Sequence, residues 1–215
     1  MVIPNREATL ILVPTEIERQ HLLPQFSEHY HLQLCGFGPI VSGIEATGLL
    51  AGGNYQSVVL AGIAGTYDVD VLPVGSACSF RQVGYYGIGS GEGPDYRSAR
   101  ELGVEQPALE NGVACYDSLS LNPAAAGDCH DELLTVSTAA SNGQQVQWRR
   151  DAFPHAQAED MEGFAVALAA AKFGLAVTVI RGISNEAGDR DHATWEIGPA
   201  MRAVGDMLMK HLSVD

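Results

Sequence analysis

The sequence has few positive charges. It contains 12 Lys and Arg residues against 26 Asp and Glu residues among 215, which gives a formal net charge of −14. Affinity for nucleic acid comes mainly from clustered Lys and Arg side chains that neutralise phosphates, and the cations of this chain are few and scattered. The same shortage argues against an anionic membrane surface. We therefore expect neither nucleic acid nor membrane as a partner.

Long hydrophobic runs are also missing. No stretch approaches the roughly 18 to 20 apolar residues that a membrane helix needs. Residues 1–14 hold one short apolar run, at 8–13, with no small-residue cleavage site behind it. This run predicts an opening strand and not a secretion signal, so we expect a cytoplasmic protein.

The four cysteines do not form a zinc or disulfide framework. Cys35, Cys78, Cys115 and Cys129 lie far apart, without a C-x-x-C or His-paired spacing. Reduced, buried thiols in a cytoplasm are the favoured interpretation. The histidines show no metal spacing either, and the sequence predicts no metal and no cofactor.

Apolar residues make up 46% of the chain, which excludes intrinsic disorder and is enough for one domain with a sizeable core. Runs rich in β-branched residues predict buried strands at 8–13, 57–61, 76–80, 133–137 and 176–183. Helical patterns lie at 16–26, 40–51, 160–173 and 195–212. Strands that alternate with helices predict an α/β layered domain with a largely parallel sheet.

Residues 86–131 fit this alternation least well. They are rich in Gly, Pro and acidic side chains. We expect loops with one or two irregular strands, which would serve as a lid or a subunit contact.

Open α/β sheets bind ligands at the carboxyl ends of their strands, and four segments at such ends carry candidate chemistry. In the first, Glu16 and Glu18 fall in the first turn of a helix, where the helix dipole favours acids and where a carboxylate could equally act as a general base. The second and third are the Gly-rich segments 36–39 and 61–66. Their glycines either form simple turns or let the backbone approach a ligand.

The fourth segment is the most specific. Residues 158–163 read Ala-Glu-Asp-Met-Glu-Gly before a helix nearly free of polar residues, and the next predicted strand ends in Arg-Gly-Ile-Ser-Asn. Helix capping would explain Asp160, and an internal salt bridge would explain Arg181. Neither explains why Glu162 and Asn185 cluster there, where Glu162 could accept hydrogen bonds from a diol.

Taken in order, these segments resemble the nucleoside phosphorylase/nucleosidase superfamily. Within it, the chain is similar to the methylthioadenosine/S-adenosylhomocysteine nucleosidases and most similar to the neighbouring futalosine hydrolases. The resemblance implies a three-layer αβα domain over residues 1–215, with a central mixed, mostly parallel twisted sheet, and a homodimer or higher homo-oligomer. It rests on the Glu-bearing first turn, the segments 36–38 and 62–65, Phe153-Pro154, Asp160-Met161-Glu162 and residues 181–185.

The resemblance also implies an enzyme that cleaves an N-glycosidic bond. By similarity, Glu18 is the carboxylate that activates or orients the attacking water, and Glu16 is its rival. Arg181 would support the neighbouring carboxylates from behind. The segment after the second predicted strand would line the site with backbone amides, at Ile63, Ala64 and Gly65.

The ribose and the base are expected to contact the fourth segment. By similarity, Met161 and Glu162 hold the ribose beside Asp160, and Ser184 with Asn185 faces N7 of the base. Adenine-specific family members carry Asp at the position of Asn185. An Asn amide donates to O6 and accepts the hydrogen on N7, a pattern complementary to a 6-oxopurine. Hypoxanthine is therefore the expected leaving base.

Water is the expected nucleophile, because phosphorylases need cations that converge on phosphate. Residues 36–40 contain no Lys or Arg, residues 62–70 add only acids, and the first turn offers Arg19 beside two glutamates. The resemblance thus implies hydrolysis of futalosine in the alternative menaquinone pathway. The alternatives are a methylthioadenosine/S-adenosylhomocysteine nucleosidase, an inosine-type phosphorylase and a non-catalytic nucleoside sensor.

Futalosine carries a carboxyphenyl group on its 5′ chain, and the sequence does not single out the residues that would meet it. Candidates for the ring and the charge are Phe37, Phe80, Tyr85, Tyr86, Arg81 and Arg97. His192, before the last helix, is interpreted as a surface or capping residue or as part of a loop that closes over the base.

Overall fold

The computed structural model describes residues 8–26, 30–106, 115–125 and 127–213. Within these ranges the strands are β1 (Thr9–Val13), β2 (His31–Leu34), β3 (Ser57–Thr66), β4 (Ala77–Tyr86), β5 (Gly89–Ser90), β6 (Arg97–Ser98), β7 (Ser118–Ser120), β8 (Asp128–Val136), β9 (Ala156–Asp160) and β10 (Ala176–Glu186). The helices are α1 (Glu16–Phe26), α2 (Pro39–Gly52), α3 (Ala99–Leu102), α4 (Gly143–Ala152), α5 (Gly163–Lys172) and α6 (Ile197–Leu212).

One mixed sheet joins all strands except the small β5–β6 hairpin within the described ranges, and its parallel pairs predominate. β1 pairs in parallel with β2 and β3, β3 with β10, and β8 with both β4 and β9. Antiparallel pairs join β10 to β4, β3 to β9, and β4 to β7. Because β3 pairs with both β9 and β10, these three strands run side by side. The predicted mixed, mostly parallel sheet is confirmed.

Helices cover both faces of this sheet. Successive side chains of a strand point to opposite faces, so a strand that is apolar throughout has an apolar surface to bury on each side. In β1, Leu10 and Leu12 pack with buried side chains of α2 and α5, whereas Ile11 and Val13 pack with those of α1 and α6. The β1 strand is therefore buried on both sides, which explains its continuous apolar run. The three-layer αβα arrangement predicted from the family resemblance is confirmed.

Two predicted boundaries are wrong at the functional segments. Residues 61–66 are not a turn, because β3 continues to Thr66 and pairs there with β10 and β9. Asp160 does not begin a helix; it is the last residue of β9, and α5 starts at Gly163. The β9 sequence, Ala-Gln-Ala-Glu-Asp, lacks the apolar run that predicts β1, β3, β4, β8 and β10.

Several further elements have weak sequence signals. The α4 helix reads Gly-Gln-Gln-Val-Gln-Trp-Arg-Arg-Asp-Ala and has almost no apolar stripe, although the Asn142 side chain caps it by accepting from the Gln145 amide at 3.1 Å. The predicted irregular segment 86–131 contains the β5–β6 hairpin, α3 and β7. Its residues 107–114 and 126 lie outside the described residues.

The four cysteines form no disulfide. All four cysteines are free thiols, three of them buried and Cys129 partly exposed. Burial raises the pKa of Cys35 to about 12, so this thiol stays protonated and unreactive. In the part of the chain that the structure describes, no helix is long and apolar enough to cross a membrane.

Candidate active site

A cavity of about 340 Å³ opens where the carboxyl ends of β1, β3, β8, β9 and β10 meet. Arg181 lies fully buried in β10 and does not line the cavity. The structure brings the other predicted site residues together around this one space, and they are Glu18, Ile63, Ala64, Gly65, Asp160, Met161, Glu162, Ser184 and Asn185.

The two glutamates of the first turn face different surroundings. Glu18 is buried against the cavity, where its Oε1 accepts from the Ile63 amide at 2.9 Å and its Oε2 accepts from the Thr15 hydroxyl. Glu16 is exposed and pairs with Arg19 at 2.8 Å. Two positions along an α-helix differ by about 200° in direction, which turns one side chain inward and the other outward. The geometry therefore favours Glu18 over Glu16 as the site carboxylate.

Arg181 is the cation behind the site. Its Nη2 pairs with Asp160 and lies 3.2 Å from Oε2 of Glu162. Burial alone would lower the pKa of Arg181. The negative charges of Asp160 and Glu162 outweigh this effect, so the pKa of Arg181 lies above its ordinary value. Its Nε and Nη1 have no hydrogen-bond partner within the described residues. A Cβ atom at Gly62 would clash with Nη1 and lie 2.7 Å from Oε1 of Glu18, so a larger residue at this strand position would displace both groups.

Asp160 is held by three donors of the protein. Its Oδ1 accepts from the Thr135 hydroxyl at 2.6 Å, and its Oδ2 accepts from the Gly163 amide at 2.8 Å and from Arg181. The Gly163 bond satisfies an amide at the start of α5. Asp160 therefore combines the capping and salt-bridge roles that its sequence position suggests.

Glu162 connects the Gly-rich segment before α2 to the cavity. Its Oε1 accepts from the Gly38 amide at 3.0 Å, and its Oε2 accepts from Arg181. Burial raises the pKa of Glu162 to about 7, with Arg181 opposing this effect and Asp160 adding to it. The Arg181 guanidinium thus pairs with two carboxylates, Asp160 and Glu162, so negative groups outnumber positive ones in this buried cluster.

Ser184 and Asn185 meet at an irregularity in β10, where the register against β3 shifts between Ile183 and Asn185. The Ser184 hydroxyl donates to Oδ1 of Asn185 at 2.8 Å, and Nδ2 of Asn185 donates to the Glu186 carbonyl at 2.8 Å. An Asn amide has two hydrogens on nitrogen and two lone pairs on oxygen. These bonds orient the amide and leave one donor and one acceptor for a ligand.

The sequence reasoning missed a second buried ion pair at the cavity. Glu159 lines the cavity, pairs with Arg149 of α4, and accepts from the Tyr67 hydroxyl at 3.0 Å and the Ala140 amide at 2.7 Å. Arg149 also donates to the Thr138 carbonyl at 2.6 Å. No local pattern signals this pair, because tertiary packing brings α4 to β9.

Four side chains lie at the mouth of the cavity, two singled out from the sequence (Phe37 and His192) and two that were not (Arg190 and Trp195). Phe37 lines the cavity, as do Arg190 and Trp195, and His192 lies beside them on the segment between β10 and α6. The other candidates lie elsewhere. Phe80 is in the core, Tyr85 and Tyr86 contact Ser137 and Tyr96, Arg81 pairs with Asp131, and Arg97 is in β6.

No group of three or more His, Cys, Asp or Glu side chains within the described residues is placed to hold a metal ion. The cavity chemistry available to a ligand consists of carboxylates, one oriented amide, and a mouth where Arg190 and His192 lie beside apolar side chains.

The chain matches one family model and is similar in sequence to two futalosine hydrolases. A model described as the phosphorylase superfamily matches residues 27–212. The futalosine hydrolase of Streptomyces coelicolor is 30% identical over 206 residues, which cover 91% of this chain and 84% of that protein. The futalosine hydrolase of Acidothermus cellulolyticus is 27% identical over 176 residues, which cover 79% of this chain and 69% of that protein.

Solved structures show the same fold. A 5′-methylthioadenosine/S-adenosylhomocysteine nucleosidase from S. pneumoniae, bound to a transition-state inhibitor, superposes with a TM-score of 0.75 at 16% identity and covers 95% of this chain and 97% of its own. The Helicobacter pylori enzyme of the same name, with butyl-thio-DADMe-Immucillin-A, superposes with a TM-score of 0.74 at 14% identity and covers 95% of this chain and 97% of its own.

Proposed function

Because this chain belongs to the phosphorylase superfamily and is an N-glycosyl hydrolase like its relatives, we propose that it hydrolyses futalosine. The products are hypoxanthine and dehypoxanthine futalosine, and the reaction belongs to the alternative menaquinone pathway. The observation that carries the proposal is that Glu18, a carboxylate suited to activating water, and Asn185, an amide suited to a 6-oxopurine, line one cavity.

The carboxylates of the cavity favour water over phosphate as the nucleophile. Glu18, Glu159, Asp160 and Glu162 all line it, whereas Arg149 and Arg181, which pair with three of them, do not, so an incoming phosphate would meet carboxylates and not their cations. Phosphate sites need converging cations, whereas Arg19 of the first turn is paired with Glu16 outside the cavity. A water molecule placed by Glu18 meets no such repulsion.

The reaction passes through an oxocarbenium-like ribose, which carries positive charge at C1′. Glu18, held by the Ile63 amide and Thr15, orients a water toward C1′ and accepts its proton. Glu162 accepts hydrogen bonds from the ribose hydroxyls, and Arg181 with Asp160 keeps this carboxylate in place. Fixed negative charge near the ribose stabilises the transition state more than the neutral ground state.

The base contacts Asn185 through the donor and the acceptor that its protein hydrogen bonds leave available. Nδ2 donates to O6 of hypoxanthine, and Oδ1 accepts the hydrogen at N7 of the departing base. Solvent water delivers that proton to N7, and Glu18 returns the proton of the attacking water to solvent, so the reaction consumes one water in all. A 6-amino group in place of O6 would set two donors against each other. This mismatch disfavours adenine nucleosides, because it leaves buried polar groups unpaired.

An Asn185→Asp variant is expected to shift preference toward 6-aminopurine nucleosides. A protonated Asp donates to N7, and its carbonyl oxygen accepts from the 6-amino group. We expect the ratio of kcat/KM for inosine-type over adenosine-type substrates to fall by about 10- to 100-fold. Chromatography of released base for futalosine and its 6-amino analogue measures this ratio, and an unchanged ratio would contradict the role of Asn185.

The pH dependence of kcat/KM is expected to reflect Glu162, whose pKa burial raises to about 7. Below that pH the carboxyl is increasingly protonated and accepts hydroxyl hydrogen bonds poorly, so kcat/KM rises as pH increases through about 7. Asp160→Asn removes a charge that raises the pKa of Glu162, and the rise moves about 1 pH unit lower. Glu45→Gln, at an exposed acid of α2, is the control. Identical midpoints for wild type and Asp160→Asn would exclude this assignment.

The substrate assay tests the proposal directly. The protein is incubated with futalosine, inosine and methylthioadenosine, each with and without phosphate, and free base is followed by chromatography. We expect hypoxanthine from futalosine at a rate independent of phosphate. Release that requires phosphate would identify an inosine-type phosphorylase, and adenine from methylthioadenosine alone would identify a nucleosidase of the other branch. Binding without release of any base would identify a sensor.

The proposal includes a homodimer in the cytoplasm. The free thiols fit a reducing compartment. On α2, Ile40 is 76% exposed and Ile44 is 65% exposed, beside a groove shared with α5. Exposed apolar patches of this kind mark protein contacts. Sedimentation equilibrium should give twice the chain mass for wild type and the single chain mass for Ile44→Glu; a monomeric wild type would contradict the dimer.

A further inference from the structure

Arg190 is the only Lys or Arg among the described residues that line the cavity. It lies on the segment between β10 and α6, with its guanidinium 5.4 Å from the centre of the Trp195 ring. The His192 ring stacks on the same Trp195 at 4.4 Å between centroids, and Nε2 of His192 lies 3.5 Å from Nη2 of Arg190. The three side chains form one layered group at the cavity mouth.

The acidic neighbours of Arg190 are occupied with the loop itself. Asp189 accepts from the Thr194 hydroxyl at 2.7 Å and from the Asp191 amide at 2.9 Å. Asp191 accepts from the Ala193 amide at 3.1 Å. Within the described ranges no carboxylate forms an ion pair with Arg190. These bonds hold the loop in shape while the guanidinium remains available to a ligand.

A ligand carboxylate is restricted to this end of the cavity. The inner part contains the carboxylates of Glu18, Asp160 and Glu162, which repel an anion, and their cation, Arg181, is buried behind them. The mouth offers the guanidinium of Arg190 next to the apolar surfaces of Phe37 and Trp195. A guanidinium binds a carboxylate through paired hydrogen bonds.

We propose that Arg190 binds the carboxylate on the 5′ arm of the substrate and selects nucleosides that carry an anionic group there. Trp195 holds the guanidinium by cation–π contact, and the aromatic ring of the arm packs between apolar side chains of the mouth. This assignment rests on the proposed function, and it explains how a protein of net charge −14 receives an anionic substrate.

The test compares Arg190→Gln with wild type on futalosine, on futalosine whose carboxylate is a methyl ester, and on inosine, which lacks the arm. We expect kcat/KM for futalosine to fall about 10- to 100-fold, through KM and not kcat, because a charge-assisted hydrogen bond to the substrate is lost. The ester and inosine should react equally with both proteins. Arg190→Lys should recover part of the loss, and Arg81→Gln is the control for removal of a surface charge.

The outcomes separate the two proposals. If Arg190→Gln hydrolyses futalosine as wild type does, or loses the ester and inosine to the same extent, the assignment of Arg190 is wrong while the proposed function stands. If wild type releases base from inosine or methylthioadenosine but not from futalosine, the proposed function is wrong, and the assignment falls with it.

Discussion

A Glu18→Gln variant is expected to bind nucleoside normally and to release base about 10²- to 10⁴-fold more slowly than wild type. The amide has the shape of the carboxylate, and its oxygen can still accept from the Ile63 amide. It cannot take a proton from the attacking water at neutral pH. Single-turnover release of hypoxanthine, with Kd for a non-hydrolysable nucleoside measured by calorimetry, separates chemistry from binding.

Glu16→Gln is the matched control for this prediction. Glu16 lies two positions earlier in α1, is exposed, and contacts Arg19 instead of the cavity. It should therefore release base at the wild-type rate. If Glu18→Gln were as active as wild type, Glu18 would not be the water-activating group, and equal losses in both variants would indicate damage to α1.

Arg181→Met should destabilise the folded protein by about 3–5 kcal/mol at pH 8. The change leaves the carboxylates of Asp160 and Glu162 buried without their cation. The loss of stability should shrink at pH 5, because Glu162, whose pKa burial raises to about 7, is then protonated and needs no compensating charge. Urea unfolding of wild type and Arg181→Met at both pH values measures this difference in the free energy of unfolding.

Arg202→Met provides the comparison for Arg181→Met. Arg202 is an exposed residue of α6, and substitution there should change the free energy of unfolding by no more than about 0.5 kcal/mol. A loss below about 1 kcal/mol for Arg181→Met would mean that Arg181 does not compensate buried negative charge in this cluster.

Most of the core could be predicted because it depends on local pattern. Strands buried on both faces must be apolar throughout, and β1 and β10 are recognisable for that reason. The order of the chemical segments also identifies the family, since each keeps its position relative to a strand end. Nearly all the residues predicted from that resemblance line one cavity.

The errors have a common cause, which is that the deciding contacts are distant in sequence. Gly62 looks like a turn glycine, yet it lies within β3, because the strand pairs with β10 at this position. The side chains of Arg181 and Glu18 pass over it and leave little room for a Cβ atom. Glu159 gives no local signal, because its partner Arg149 comes from a polar helix without an apolar stripe. Periodicity cannot detect such pairs.

The excess of acidic residues in the sequence by itself argued against polyanionic partners and for water over phosphate, since those expectations depend on how few cations exist and where they lie along the chain. Which cations serve which carboxylates was decided only by the tertiary structure. It buries Arg181 beside Asp160 and Glu162, turns Glu18 inward and Glu16 outward, and brings Arg190 to the cavity mouth without an ion pair among the described residues. Coulomb energies depend on distance and burial, and neither can be read from composition.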